Sequence, residues 1–151
     1  MTLNRREWLQ TLALAFIPSS SVVHSALVLD DLCAATEPDA MPALDWGDLY
    51  RALTEWGYSP WCFVATGRHR DLQTMINDCL DAIAQHRRRR NPTTAIVVLS
   101  GDSHRLQLQH CAAVSSAIHA AVGSREINLW FAAARDPVLM DALRVTVAMD
   151  G

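Results

Sequence analysis

The chain has 151 residues, enough for one compact domain around one hydrophobic core. Half of the residues are apolar and 19% are charged, a globular composition that excludes an intrinsically disordered chain. A formal net charge of −3 gives no global attraction to nucleic acid or to an acidic membrane, which excludes a general polyanion binder. The cysteines Cys33, Cys62, Cys79 and Cys111 lie in apolar stretches and form no C-x-x-C pair. They read as buried free thiols in a reducing cytoplasm, not as zinc ligands or a disulfide framework.

Near the start, Asn4-Arg5-Arg6-Glu7-Trp8-Leu9-Gln10 and the apolar run at 11–17 are similar to a twin-arginine export signal. That run sits at the short limit of a signal core, about 7–15 residues, and no Ala-x-Ala site follows Pro18. Residues 1–18 are therefore read as an amphipathic segment with Trp8, Leu12, Ala15 and Phe16 on one face, and the protein as cytoplasmic. Export is the alternative.

Residues 19–42 read as a linking helix and loop. Ser19, Ser20 and Ser21 can cap a helix with Val22, Val23, Ala26, Leu27, Leu29 and Cys33 as its apolar positions. Only His24, Asp30 and Asp31 interrupt the apolar surface, so the helix should be mostly buried. Pro38 and Pro42 then impose a loop.

Residues 43–151 read as the main domain. Asp45 caps a helix with Trp46, Leu49, Leu53 and Trp56 at helical spacing, and Gly57 ends it. A short strand is expected over 61–65, before a polar break at Thr66-Gly67-Arg68-His69. Leu72, Met75, Ile76, Cys79, Leu80 and Ile83 form the clearest helical stripe in the chain. That helix ends in His86-Arg87-Arg88-Arg89-Arg90, which complements its dipole.

The unbroken apolar run at 95–99 predicts a strand covered on both faces. Gly101-Asp102-Ser103 turns the chain into a helix reaching about Val122, with Leu106, Cys111, Val114, Ile118 and Ala121 or Val122 on its buried side, and Gly123-Ser124 closes it. A further strand is expected over 127–131. Leu143, Val145, Val147 and Met149 alternate with Arg144, Thr146 and Ala148, the pattern of a half-exposed strand. The order is helix, loop, helix, strand, helix, strand, helix, strand, strand. It predicts an α/β (α+β) fold: a mixed four-stranded sheet packed with helices and preceded by a long helix. No run of about 20 apolar residues could span a membrane.

Several groups invite a chemical reading. His86 to Arg90 could meet nucleic acid or an acidic partner, but a solvated helix end accounts for it in an acidic chain. His104 and His110 have the wrong helical spacing to share a metal. Ser100-Gly101-Asp102-Ser103-His104 lacks a nucleophile-elbow pattern and reads as a turn. Trp46, Trp56 and Trp130 read as core, and Trp61 as a surface residue without an assigned ligand.

Residues 127–151 end in Asp136, Asp141 and Leu143-Arg144-Val145-Thr146-Val147, and this stretch resembles the end of the globular body of FtsZ, the tubulin-like division GTPase. Thr94 to Gly101 and Arg105 to Val122 are similar to the strand and long helix that precede it in that family, and residues 20–36 to its central helix. Asp45-Trp46-Gly47-Asp48-Leu49 resembles the family's synergy loop, with Ala43 at the position of its asparagine. No Gly-Gly-Gly-Thr-Gly-Thr-Gly loop is present to cradle phosphates.

The resemblance implies the C-terminal, synergy-loop domain of a tubulin/FtsZ-type protein without a GTP site of its own. In the family, that loop completes a neighbour's GTP site. It therefore implies a non-enzymatic domain, without cofactor or metal, that presents Ala43, Leu44, Asp45, Trp46, Gly47 and Asp48 to an FtsZ or tubulin-like GTPase and caps or modulates its filaments. Asp45 and Asp48 would act in trans on the partner's nucleotide. The bland account of the two aspartates, an N-cap and a first-turn acid, is compatible with that role. Export with unrelated function, and one half of a split GTPase that self-associates through the helix at 20–36, are the alternatives. Nucleic acid is not an expected partner.

Overall fold

In the computed structural model, which describes residues 22–56, 60–122 and 127–150, the apolar run at 95–99 lies in an inner strand of one sheet. The amphipathic segment 1–18 with its signal reading, the cap at Ser19 to Ser21, and the stops at Gly57 and Gly123-Ser124 lie outside the described residues. The described elements are α1 (Val22–Ala34), α2 (Trp46–Glu55), β1 (Trp61–Arg68), α3 (Leu72–Arg89), β2 (Thr94–Gly101), α4 (Leu108–Val122), β3 (Asn128–Arg135) and β4 (Ala142–Met149). Short 3-10 turns at His69–Asp71 and Pro137–Leu139 precede α3 and β4. The predicted order and the mixed four-stranded sheet with helices are both present.

The strands lie in the order β1-β4-β2-β3. β2 and β3 are parallel, joined through α4, while β4 runs antiparallel to both β1 and β2. Alternate side chains of each strand enter opposite layers. On one face Ala95, Val97, Leu99, Leu143, Val145 and Val147 meet α3 and α4, through Met75, Ile76, Ile83, Val114 and Ile118. On the other, Ile96, Val98, Ala132 and Ala148 meet α1 and α2, through Val28, Leu32, Leu49 and Leu53. Covered on both faces, the inner strands β2 and β4 are buried at every position after their first residue.

Four expectations need correction. β4 is not half-exposed: Arg144, Thr146 and Ala148 are 7%, 1% and 1% exposed, because α1 covers the face they share. β1 runs to Arg68 through the expected polar break, since Thr66, Gly67 and Arg68 keep pairing with Arg144, Leu143 and Ala142. α4 begins at Leu108 because Asp102 C=O first accepts from the amides of Arg105 and Leu106, a turn that consumes those residues. Leu106 still packs, half-buried, against the core. Finally, Cys79 and Cys111 are buried but Cys33 is half-buried and Cys62, on the edge strand, is exposed. Burial pushes the Cys79 thiol up to about 12, with the Asp78 charge adding to the effect, so it stays protonated and inert.

β2 ends at Gly101, where a larger residue would have to displace Leu143. A Cβ would lie 2.7 Å from Leu143 Cδ2 and 3.4 Å from Leu106 Cβ.

Candidate functional site

The loop before α2 is tied to two other elements. Leu44 N–H donates to Ala35 C=O at 2.8 Å, just past the end of α1. Met41 N–H donates to Ala133 C=O at 2.9 Å, and Ala133 N–H donates to Pro42 C=O at 3.0 Å, so the loop also lines the outer edge of β3. The loop is thus held by backbone bonds at three points, which narrows its conformational freedom before any partner arrives.

Asp45 caps α2, as its position predicts. Its Oδ1 accepts from Gly47 N–H at 2.8 Å and Asp48 N–H at 3.2 Å, with the backbone extended at φ −73°, ψ 134°. Gly47 suits this cap, because a Cβ there would stand 2.9 Å from the same oxygen. Asp48 lies in the first turn, where the helix dipole favours its charge. Ala43, Asp45, Gly47 and Asp48 are exposed; Leu44 and Trp46 are half-buried and pack onto the layer beneath α2. All six sequence-derived positions therefore lie on one loop and helix start, with two carboxylates at the surface.

Behind the loop is a group that the sequence reading did not single out. Asp31 is 2% exposed, and it faces the sheet instead of breaking the apolar surface of α1. Its Oδ2 accepts from Arg144 Nε at 2.9 Å, its Oδ1 from Arg144 Nη2, and Thr146 Oγ1 donates to Oδ2. Arg144 Nη2 also donates to Asp136 Oδ2 at 2.8 Å. Burial by itself would lower the Arg144 pKa; the bonds and charges of Asp31 and Asp136 more than offset this and hold it above its ordinary value. The three groups key α1 to β4 and to the turn before it. The available signal was an Arg and a Thr inside an otherwise apolar strand, together with one acid in an apolar helix.

Beside the ion pair opens a cleft of about 500 Å³, lined among others by Asp30, Asp31, Ser100, Arg135, Asp136 and Arg144. Ser100 is 1% exposed, and its Oγ has no hydrogen-bond partner among the described residues. Ser100 and Gly101 belong to β2, so only Asp102 onward forms the turn expected for 100–104.

The basic cluster also divides. Arg88, Arg89 and Arg90 are exposed, as a solvated helix end requires, but His86 is 7% exposed. Its ring stacks on Trp61 at 4.6 Å and 10°, and its Nε2 lies 3.1 Å from Asp150 C=O. Among the described residues no group of three His, Cys, Asp or Glu could hold a metal ion, and no helix is long and apolar enough to cross a membrane.

No protein-family model matches the chain, and comparison with curated proteins finds no match. Solved structures do match. An FtsZ W319Y mutant of M. jannaschii superposes over 93% of this chain and 44% of that one, with a TM-score of 0.63 and 12% identity. An empty FtsZ dimer of M. jannaschii covers 97% of this chain and 43% of its own, with a TM-score of 0.61 and 13% identity. The chain thus spans less than half the length of the FtsZ chains it matches. It has an FtsZ-like fold, consistent with that protein's C-terminal-type domain.

Proposed function

We propose that the chain is a non-catalytic FtsZ-like domain that binds a full-length FtsZ or tubulin-like GTPase through the loop at residues 43–48, and that it modulates or caps the partner's polymerisation. The observation that carries this reading is the anchored loop itself, which presents the exposed carboxylates of Asp45 and Asp48 at the start of α2. Such a pair can orient and polarise a water beside a partner's γ-phosphate. The sequence supplies no glycine-rich cradle for a nucleotide of its own, so a filament end occupied by this domain could not receive the next subunit there.

The test is to add purified protein in stoichiometric excess to polymerising FtsZ. Pelleted FtsZ should fall and GTP turnover should change, and Asp48→Ala should bind less in a pull-down. Unchanged sedimentation and turnover would refute the reading. A second reading makes the domain one half of a split GTPase. A 1:1 complex with a separate nucleotide-binding chain that hydrolyses GTP only when assembled would favour it over capping.

A further inference from the structure

The two edges of the sheet are finished differently. Met41 and Pro42 bond to the outer side of β3. On β1, no backbone hydrogen bond to another described residue is made outside the ladder with β4. The strand is eight residues long, pairs without a bulge from Trp61 to Arg68, and contains no Pro or Lys. Its single charge is Arg68, at the far end. Edges are usually blunted by such devices, and one without them is a template for a further strand.

A furrow of about 280 Å³ lies beside this edge, lined by Trp61, Cys62, Phe63, Ala82, Gln85, His86 and Arg89. Its lining is aromatic: the Trp61 and Phe63 rings lie 6.4 Å apart at 11°, and the His86 ring stacks on Trp61 at 4.6 Å and 10°. Its Trp61 end is basic. Arg88, Arg89 and Arg90 are exposed, and no ion pair among the described residues engages them. On α3 the exposed acids at helical spacing from Ala82 and Gln85 are Asp78 and Asp81, about three and two turns from Arg89, so the basic character is confined to the Arg88–Arg90 end of the furrow.

We propose that the β1 edge and the furrow beside α3 form a docking site for an extended acidic segment of a partner protein. The segment adds to the sheet as a strand next to β1. It lays an apolar side chain on Trp61 and Phe63 and sets an Asp or Glu against Arg89. A second copy of this chain fits less well: antiparallel pairing of two β1 strands brings Arg68 of each beside the Arg89 end of the other. The site is on the sheet edge opposite the loop at 43–48, and it stands or falls independently of that loop's function.

The probe is a blocked synthetic peptide of about eight residues alternating Phe or Val with Glu. Anisotropy should report binding, and amide chemical-shift changes should be confined to β1 and the last turns of α3. Replacing Glu by Lys in the peptide should weaken binding by about tenfold or more, as should Arg88→Glu/Arg89→Glu in the protein, whose fold is checked by circular dichroism. Methylating alternate peptide nitrogens, which leaves charge and side chains intact, should abolish binding if the contact is a strand ladder. No binding up to about 1 mM, binding that survives N-methylation, or shifts away from β1 would each overturn the proposal. So would a β1-mediated dimer with which the peptide does not compete, since that result assigns the edge to a second copy.

Discussion

The two faces of the sheet are built from different chemistry. Against α3 and α4 the centre of the layer is apolar, built from Ile83, Val97, Leu99, Ile118 and Val145, and His86 enters only at its edge. Against α1 and α2 the same sheet buries apolar residues around a fixed ionic group, Asp31 with Arg144 and Thr146. An apolar layer tolerates small slips between its parts, because the hydrophobic effect has no direction. A buried carboxylate–guanidinium pair does not, because a shift of about an ångström breaks the bonds that offset its desolvation. The first face supplies cohesion, and the second sets where α1, and with it the loop that follows, sits on the sheet.

The largest effect should come from breaking the pair on one side. Asp31→Ala leaves Arg144 buried with only the partly exposed Asp136, and should cost about 3–5 kcal/mol in urea unfolding. Asp31→Leu/Arg144→Met removes both charges and should regain most of that loss. If the pair sets position and not merely stability, the double variant will unfold cooperatively yet show altered amide shifts in the loop at 43–48. A double variant as unstable as Asp31→Ala would sink this account of the face.

On the apolar face a graded response is expected. Ile118→Val removes one methylene from a fully buried side chain and should cost about 0.5–1.5 kcal/mol. Thr146→Val keeps the volume but deletes the hydroxyl that donates to Asp31, and should cost about 1–3 kcal/mol, the larger value for the smaller change in shape. Equal losses from the two variants would erase the distinction between the faces.

The loop lies between these extremes. Asp45→Ala removes the N-cap of α2 and should cost about 1 kcal/mol, whereas Asp48→Ala, with an exposed side chain, should stay within about 0.5 kcal/mol. The contrast makes Asp48 the cleaner probe of partner binding, since a loss there cannot be blamed on the helix start.

How much could be read from the chain follows the same division. Helical and strand periodicity report apolar side chains, so α3, β2 and the order of all the elements were legible from residues such as Leu72, Met75, Ile76 and Ile83. Periodicity assigns charged residues to solvent, and for that reason it misplaced Asp31 and Arg144, whose partners are 113 positions apart in the chain. His86 was misplaced likewise, since its cover comes from Trp61 and the end of β4. The cap at Asp45 is local, involving only residues two and three positions on, and was legible. What a partner would do with its exposed neighbour Asp48 is not encoded in any local pattern.

The smallest expected effect tests whether the apolar face carries any titrating group of its own. His110 sits on the first turn of α4, its ring 6.4 Å from that of His69, with Nδ1 accepting from Gln107 N–H at 3.2 Å. Burial and the neighbouring His69 lower its pKa, and a backbone bond to Arg105 opposes them only in part. The unfolded chain therefore binds this proton more readily than the folded one. Stability contributed by the neutral ring is present above the ordinary histidine range and is lost as pH falls below it. Urea midpoints should accordingly rise slightly with pH from about 5 to 7, and His110→Gln should flatten that rise. A slope that persists unchanged in His110→Gln would show that the ring beside His69 is not the group that titrates.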